Sequence, residues 1–256
     1  LWMRHSVISP DGTTIAFTYK GDIYTVPVAG GRAMQITTNP AYDTAPVWSP
    51  DSKRIAFASD RMGSLDVYIV AKDGGEPRRL TTHSGSETPL AFTDAGHVLF
   101  SAGIMPSAEA VVFPSNGQFN QVYRVSVEGG RPTMISSMPM ECISINKEGA
   151  MLYQDKKGYE DYWRKHHVSP IARDIWMYTP GKEPQYRQLT TFGGEDREPV
   201  WAPDGKTFYY LSEENGSFNI YRRTPGDAKA VQLTHYTKNP VRYLSLIHIS
   251  EPTRQA

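Results

Sequence analysis

Ser49-Pro50-Asp51-Ser52, followed closely by Ile55-Ala56-Phe57, recurs almost unchanged at two other places in the chain. Ser9-Pro10-Asp11-Gly12 leads into Ile15-Ala16-Phe17, and Ala202-Pro203-Asp204-Gly205 leads into Phe208-Tyr209-Tyr210. Two looser copies lie between them: Thr93-Asp94-Ala95-Gly96 before Val98-Leu99-Phe100, and Asn146-Lys147-Glu148-Gly149 before Met151-Leu152-Tyr153. In all five an aromatic residue stands six positions after the Asp, or after Lys147 in the fourth copy.

Two further anchors follow each of these. A polar–aliphatic–aromatic triplet comes first: Asp22-Ile23-Tyr24, Asp66-Val67-Tyr68, Gln121-Val122-Tyr123, Asp174-Ile175-Trp176 and Asn219-Ile220-Tyr221. An aliphatic–hydroxyl pair then closes the unit, as Ile36-Thr37, Leu80-Thr81, Ile135-Ser136, Leu189-Thr190 and Leu233-Thr234. Between triplet and closing pair sit Gly30-Gly31, Gly74-Gly75, Gly129-Gly130, Gly181 and Gly226.

One copy reads as four short strands. Pro presets φ and Gly tolerates positive φ, so Ser-Pro-Asp-Gly joins two antiparallel strands tightly. Ile-Ala-Phe is too apolar to face water on either side and reads as buried between layers. The triplet opens a third strand, and a glycine-containing hairpin returns a fourth. Four strands repeated at intervals of 40 to 57 residues are the signature of β-propeller blades. A β-sandwich would not repeat such a cassette. The expectation is an all-β propeller with five complete blades at about 5–38, 45–82, 89–137, 140–191 and 198–235. A sixth begins at 239, because Asn239-Pro240-Val241 resembles Ala45-Pro46-Val47 and Glu198-Pro199-Val200.

Composition narrows the function classes. The 256 residues carry 27 Lys+Arg and 27 Asp+Glu, which excludes the basic footprint of a duplex-binding protein. No apolar run approaches a membrane span. The one cysteine, Cys142, rules out an internal disulfide framework and a multi-cysteine zinc site, and reads as a small buried hydrophobe. Asp11, Asp51 and Asp204 sit in like turns and are expected to bond nearby backbone amides rather than to act as acids. Asp22, Asp66 and Asp174 are expected to hold blade edges. There is no Gly-x-Ser-x-Gly elbow and no phosphate-binding loop.

The ends read differently from the repeats. The chain starts at Leu1 with no secretory segment, which reads as a start inside a longer protein. Residues 244–254 read Leu-Ser-Leu-Ile-His-Ile-Ser-Glu-Pro-Thr-Arg, which is what a sequencing-library transposase adapter encodes. Residues 244–256 are therefore taken as a non-native tail, and His248 and Glu251 carry no functional weight.

Candidate function lies in the connections between second and third strands. They span 18–21, 58–65, 101–120, 154–173 and 211–218, so two are far longer than the rest. Both belong to consecutive blades and would meet as a wall or lid. The 154–173 connection holds Tyr159, Tyr162, Trp163, Arg164, Lys165, His166, His167 and Arg173, residue types that dominate binding hot spots. Tyr162, Trp163, Arg164, His166, His167 and Arg173 are the candidate contacts for a peptide or protein partner, with Arg164 or Arg173 pairing a carboxylate and Trp163 giving apolar contact. The alternative is that Tyr162 and Trp163 only pack the loop onto its blade. Adjacent His166 and His167 would point to opposite faces of a strand, so no metal is expected there. No cofactor is expected either.

These repeats resemble the TolB-like, Pro-Asp-containing propellers also found in tricorn proteases. Residues 8–60, with Gly21-Asp22-Ile23-Tyr24-Thr25-Val26-Pro27-Val28, are most similar to bacterial tricorn-type serine peptidases, and His166-His167-Val168-Ser169 before Arg173-Asp174-Ile175-Trp176 adds to the likeness. The resemblance implies a non-catalytic propeller that admits, filters or orients peptide substrates and packs on a PDZ domain and a serine-peptidase core. It carries over no catalytic residue, because no position here matches those motifs. It implies a peptide or protein substrate, is compatible with homo-oligomeric assembly, and points to an exported, periplasmic or cell-envelope location, with a cytoplasmic one as the alternative. The other readings are a TolB-like scaffold without enzyme activity and the propeller lid of a prolyl-oligopeptidase-like hydrolase.

Overall fold

In the computed structural model, Ser9-Pro10-Asp11-Gly12 closes the turn that its sequence dictates. Oδ1 of Asp11 accepts from the Ser9 hydroxyl (2.5 Å), the Thr13 amide (3.0 Å) and the Thr13 hydroxyl (2.8 Å), while Thr14 N donates to Ser9 Oγ at 3.0 Å. Those donors, led by the Ser9 hydroxyl, hold the Asp11 carboxyl down at about 2. Gly12, at φ 72°, bonds back to the Ser9 carbonyl at 2.8 Å. Asp51 repeats the arrangement with Ser49 (2.5 Å) and Lys53 N (3.1 Å), although Ser52 there carries a Cβ at φ 57°. At Ala202 the serine is missing, and the Thr207 hydroxyl and amide fill its place on Asp204. These turn aspartates are structural.

The structure describes residues 3–103, 120–157, 168–242 and 244. Every regular element among them is a strand, and none is a helix able to cross a membrane. Blade one is β1 (Arg4–Ile8), β2 (Thr14–Tyr19), β3 (Asp22–Pro27) and β4 (Met34–Gln35). Blade two is β5 (Asp43–Trp48), β6 (Arg54–Ser59), β7 (Asp66–Ala71) and β8 (Arg78–Arg79). Blade three is β9 (Glu87–Asp94), β10 (His97–Ala102), β11 (Gln121–Ser126) and β12 (Thr133–Ser136). Blade four is β13 (Met140–Ile145), β14 (Met151–Asp155), β15 (Ile175–Thr179) and β16 (Gln185–Gln188). Blade five is β17 (Asp196–Trp201), β18 (Phe208–Ser212), β19 (Asn219–Arg223) and β20 (Val231–Gln232). Each blade is an antiparallel meander in chain order, and the five are blades of a β-propeller. Blades one to three form one compact unit, to Met138, and blades four and five a second, from Pro139.

The three sequence anchors have separate physical roles. The aromatic that follows each turn stands directly across from the aromatic of the triplet: Phe17 faces Tyr24, Phe57 faces Tyr68, Phe100 faces Tyr123, Tyr153 faces Trp176 and Tyr210 faces Tyr221. Phe57 and Tyr68 stack at 5.9 Å, and Phe100 and Tyr123 at 5.6 Å, geometries that add to simple burial. The closing hydroxyl completes the fourth strand. Oγ1 of Thr37, Thr81, Thr190 and Thr234 accepts from the amides of Ile23, Val67, Ile175 and Ile220 at 2.9 to 3.0 Å. The triplet acids hold the blade edge: Asp22 accepts from Gln35, Asp174 accepts from Gln188, and Asp66 pairs with Arg79.

Blades pack through shared apolar layers. Ile55 and Phe57 of blade two cluster with Ala16, Ile23 and Ile36 of blade one, while Ala56, Val67 and Ile69 face Val98 and Phe100 of blade three. In the second unit Leu152 and Ile175 cluster with Trp201, Phe208 and Tyr210. The indoles of Trp48 and Trp201 reach into the preceding blade, donating to the carbonyls of Val7 (3.2 Å) and Ala150 (3.1 Å).

Two features depart from the sequence reading. Each first strand carries a β-bulge, and its kinked residue has positive φ at His5, Ala45, Cys142 and Glu198. The strands therefore begin two residues earlier at Asp43, Glu87 and Asp196, on the far side of the bulge. The kink also corrects the expectation for Cys142: it turns the residue out of the apolar layer, and its side chain is exposed. Beyond β20, Val241 N donates to Phe218 O at 2.9 Å, the bond that Asp43, Glu87 and Asp196 make to Gly21, Leu65 and Arg173. By this register Val241 aligns with those acids, four residues from the alignment implied by Asn239-Pro240. No strand follows β20 among the described residues, and Leu244 packs on Leu211, Phe218 and Ile220.

Candidate functional site

The first and third strands of a blade start at the same end, where the second-to-third connections emerge. Charge concentrates there. In the second unit Arg173, two residues before the third strand of blade four, is 8 % exposed. Its Nη1 lies 3.3 Å from Glu195 Oε1 and its Nε 3.6 Å from Glu141 Oε2. Glu195 also takes Arg197 Nε at 2.8 Å, and the Arg197 guanidinium covers the Phe218 ring at 5.1 Å. Gln154 bridges the two blades, donating to Glu141 and accepting from the bulge amide of Glu198 at 3.0 Å. Lys157 pairs with Asp174 (2.5 Å) and Asp155 (3.5 Å), and Asp155 in turn accepts from Asp174 N and the Trp176 indole.

This places the six candidate contacts differently from one another. Arg173 is enclosed and ion-paired on two sides, so its charge fixes the ends of the long connection instead of standing open to a partner carboxylate. Tyr162, Trp163, Arg164, His166 and His167 lie outside the described residues, as does the 104–119 part of the other long connection. Among the described residues no three His, Cys, Asp or Glu side chains converge as metal ligands.

The structure also assembles a group that the sequence reading passed over. At three junctions the acid opening a third strand meets the acid opening the next blade's first strand: Asp22 with Asp43, Asp66 with Glu87, Asp174 with Asp196. All of Asp43, Asp66, Glu87 and Asp196 are at most 1 % exposed. Arg61 reaches both oxygens of Asp43 at 3.1 and 2.9 Å and lies 4.6 Å from the Tyr68 ring centre. Arg79 pairs with Asp66 at 2.8 Å. Burial pushes Glu87 up to about 7, with the Asp66 carboxylate adding to the effect. Burial likewise pushes Asp196 up to about 7, eased by the hydroxyls of Ser212 and Thr190. These are carboxyl groups that hold protons near neutrality. The signal was in the sequence, as an acid recurring 21 or 22 residues after each triplet acid.

The family profile described as the tricorn protease N-terminal beta propeller domain matches residues 2–249. Tricorn protease homolog 1 of Streptomyces coelicolor is 24 % identical over 213 residues, covering 83 % of this chain and 19 % of its own length. The chain thus spans about a fifth of that relative. The crystal structure of the tricorn protease superposes with a TM-score of 0.71 at 18 % identity, over 93 % of this chain and 23 % of that one. A putative TolB from Agrobacterium tumefaciens gives 0.69 at 15 % identity, over 90 % and 80 %. At such identities the two solved structures speak to the fold alone. Taken with the five four-stranded blades, the match over nearly all of the chain shows that it belongs to the tricorn protease N-terminal β-propeller domain family.

Proposed function

We propose that this chain is the non-catalytic propeller of a tricorn-type serine peptidase, a hydrolase in which it controls the access and orientation of peptide substrates. The observation that supports this is the family match over residues 2–249. In this reading the propeller packs on a PDZ domain and a catalytic core, and the parent protein is exported to the periplasm and assembles with copies of itself. The network of Arg173, Glu195, Arg197 and Glu141 gives the long 154–173 connection rigid ends, as a recognition loop requires. Trp163 and Arg164 are its contact residues. In the complete protein, Trp163→Ala with Arg164→Ala should lower kcat/KM for peptide cleavage by about tenfold or more, in line with loss of a hot spot. Unchanged kinetics with an intact fold would remove the recognition role. Fractionation of cells producing the complete protein tests the periplasmic assignment.

A further inference from the structure

Among the described residues, the junction of the second and third blades holds a buried carboxyl group with no cation of its own. Glu87 is fully buried at the start of β9. Among the described residues, no backbone amide and no guanidinium hydrogen-bonds to either of its oxygens. It is faced by Asp66 from β7 and by the Thr81 hydroxyl beyond β8, with Arg79 of β8 as the nearby positive charge. Arg79 is engaged by Asp66 at 2.8 Å. The Thr81 oxygen already accepts from Val67 N at 2.9 Å, which leaves it one hydrogen for one carboxyl. Beside the Asp66 carboxylate and out of water, Glu87 is disfavoured as a second negative charge, and a proton on Glu87 removes the repulsion.

The pair also sits beside the main-chain bond that joins these blades. Glu87 N donates to the carbonyl of Leu65, the residue before Asp66, at 2.7 Å. We propose that Glu87 holds a proton against the Asp66 carboxylate and so forms a pH-operated latch between the second and third blades, closed below neutrality and loosened above it. At the equivalent junction of blades one and two the buried acid Asp43 has a cation of its own, Arg61, on both of its oxygens.

The direction follows from linkage. The closed junction keeps a proton up to about pH 7, whereas an opened Glu87 releases it near its ordinary value of 4.5. The advantage of the closed form is therefore full at low pH, shrinks as pH rises between those values, and is gone above the upper one.

Hydrogen exchange measured by mass spectrometry on the 256-residue chain tests this, with rates corrected for the intrinsic pH dependence of amide exchange. Between pH 5.5 and pH 8, protection of residues 84–92 should fall about tenfold more than protection of residues 43–48. Glu87→Gln, which keeps the shape of the protonated form, should hold residues 84–92 protected at both pH values. Asp66→Asn, which leaves one charge at the junction, should flatten the response as well. Equal changes at the two junctions in the unmodified chain would overturn the proposal, and that comparison stands even where a variant fails to fold. A folded Glu87→Gln that still loses protection at pH 8 would overturn it too.

Discussion

The junction of blades one and two and the junction of blades two and three bury acids at the same backbone position, yet they neutralise them by different means. At the first, Asp43 accepts two bonds from Arg61, whose guanidinium is itself sandwiched against Tyr68. At the second, Glu87 faces Asp66 and, among the described residues, has no guanidinium bonded to it. A guanidinium keeps its charge at any accessible pH, while a proton leaves as pH rises. One scaffold position can therefore give either a permanent tie between blades or a conditional one, depending on a single basic residue in the second-to-third connection of the same blade.

The largest effect should come from removing the permanent tie. Arg61→Met would leave Asp43 buried without its cation, and loss of one partner of such a pair costs about 3–5 kcal/mol. Urea unfolding should show a drop of that order, and a drop below 1 kcal/mol would mean that water or another group compensates Asp43.

The conditional tie should show in the pH dependence of stability. Glu87 and Asp196 each keep a proton to about pH 7 in the folded chain, well above the ordinary values of 4.5 and 3.8. The folded state binds more protons across that window, so stability should fall as pH rises from 5.5 to 8, by up to roughly 2 kcal/mol per carboxyl. Thermal melting across that range measures it, and stability rising with pH would contradict the assignment of both groups.

A smaller effect distinguishes the closing hydroxyls. Thr37→Val removes the acceptor of Ile23 N and a donor to Asp22, and should cost about 1–2 kcal/mol, the worth of one or two hydrogen bonds. Thr81→Val should cost the same and, in addition, steepen the pH dependence of its junction, because its hydroxyl also faces Glu87. A pH profile for Thr81→Val identical to that of the unmodified chain would separate Thr81 from Glu87.

The smallest effect concerns the second unit. Although Cys142 reaches the surface, desolvation by the protein around it, with Glu198 and Glu141 nearby, pushes its thiol up to about 12. Thiolate is the reacting form, so alkylation at pH 7.5 should run far more slowly than for free cysteine despite exposure. Reaction at the free-thiol rate would show that the side chain leaves its pocket.

The five blades could be read from the sequence because the anchors are pairwise: two aromatics that must face each other across strands and a hydroxyl that must meet a fixed amide recur at fixed spacing. The bulge could not be read the same way. Ala45, Glu198, Cys142 and His5 share no side-chain property, and the kink comes from register, not from residue preference. That omission shortened the first strands by two residues and hid the acids Asp43, Glu87 and Asp196 outside the expected blades. It also placed Cys142 in the core. Arg173 illustrates a further limit, since composition marks it as a recognition residue and only packing reveals Glu195 and Glu141 on either side of it.

The bulge has a consequence for how the chain tolerates change. Four blades share one left-handed kink, occupied by an imidazole, a methyl group, a thiol and a carboxylate, so the backbone accepts nearly any chemistry there provided the strain is borne. Glycine would relieve that strain, and none of the four blades uses it. Each kink is thus a slot where side-chain identity can drift or be reassigned without redrawing the blade, and propellers built on this repeat can diversify from within the strand as well as through their loops.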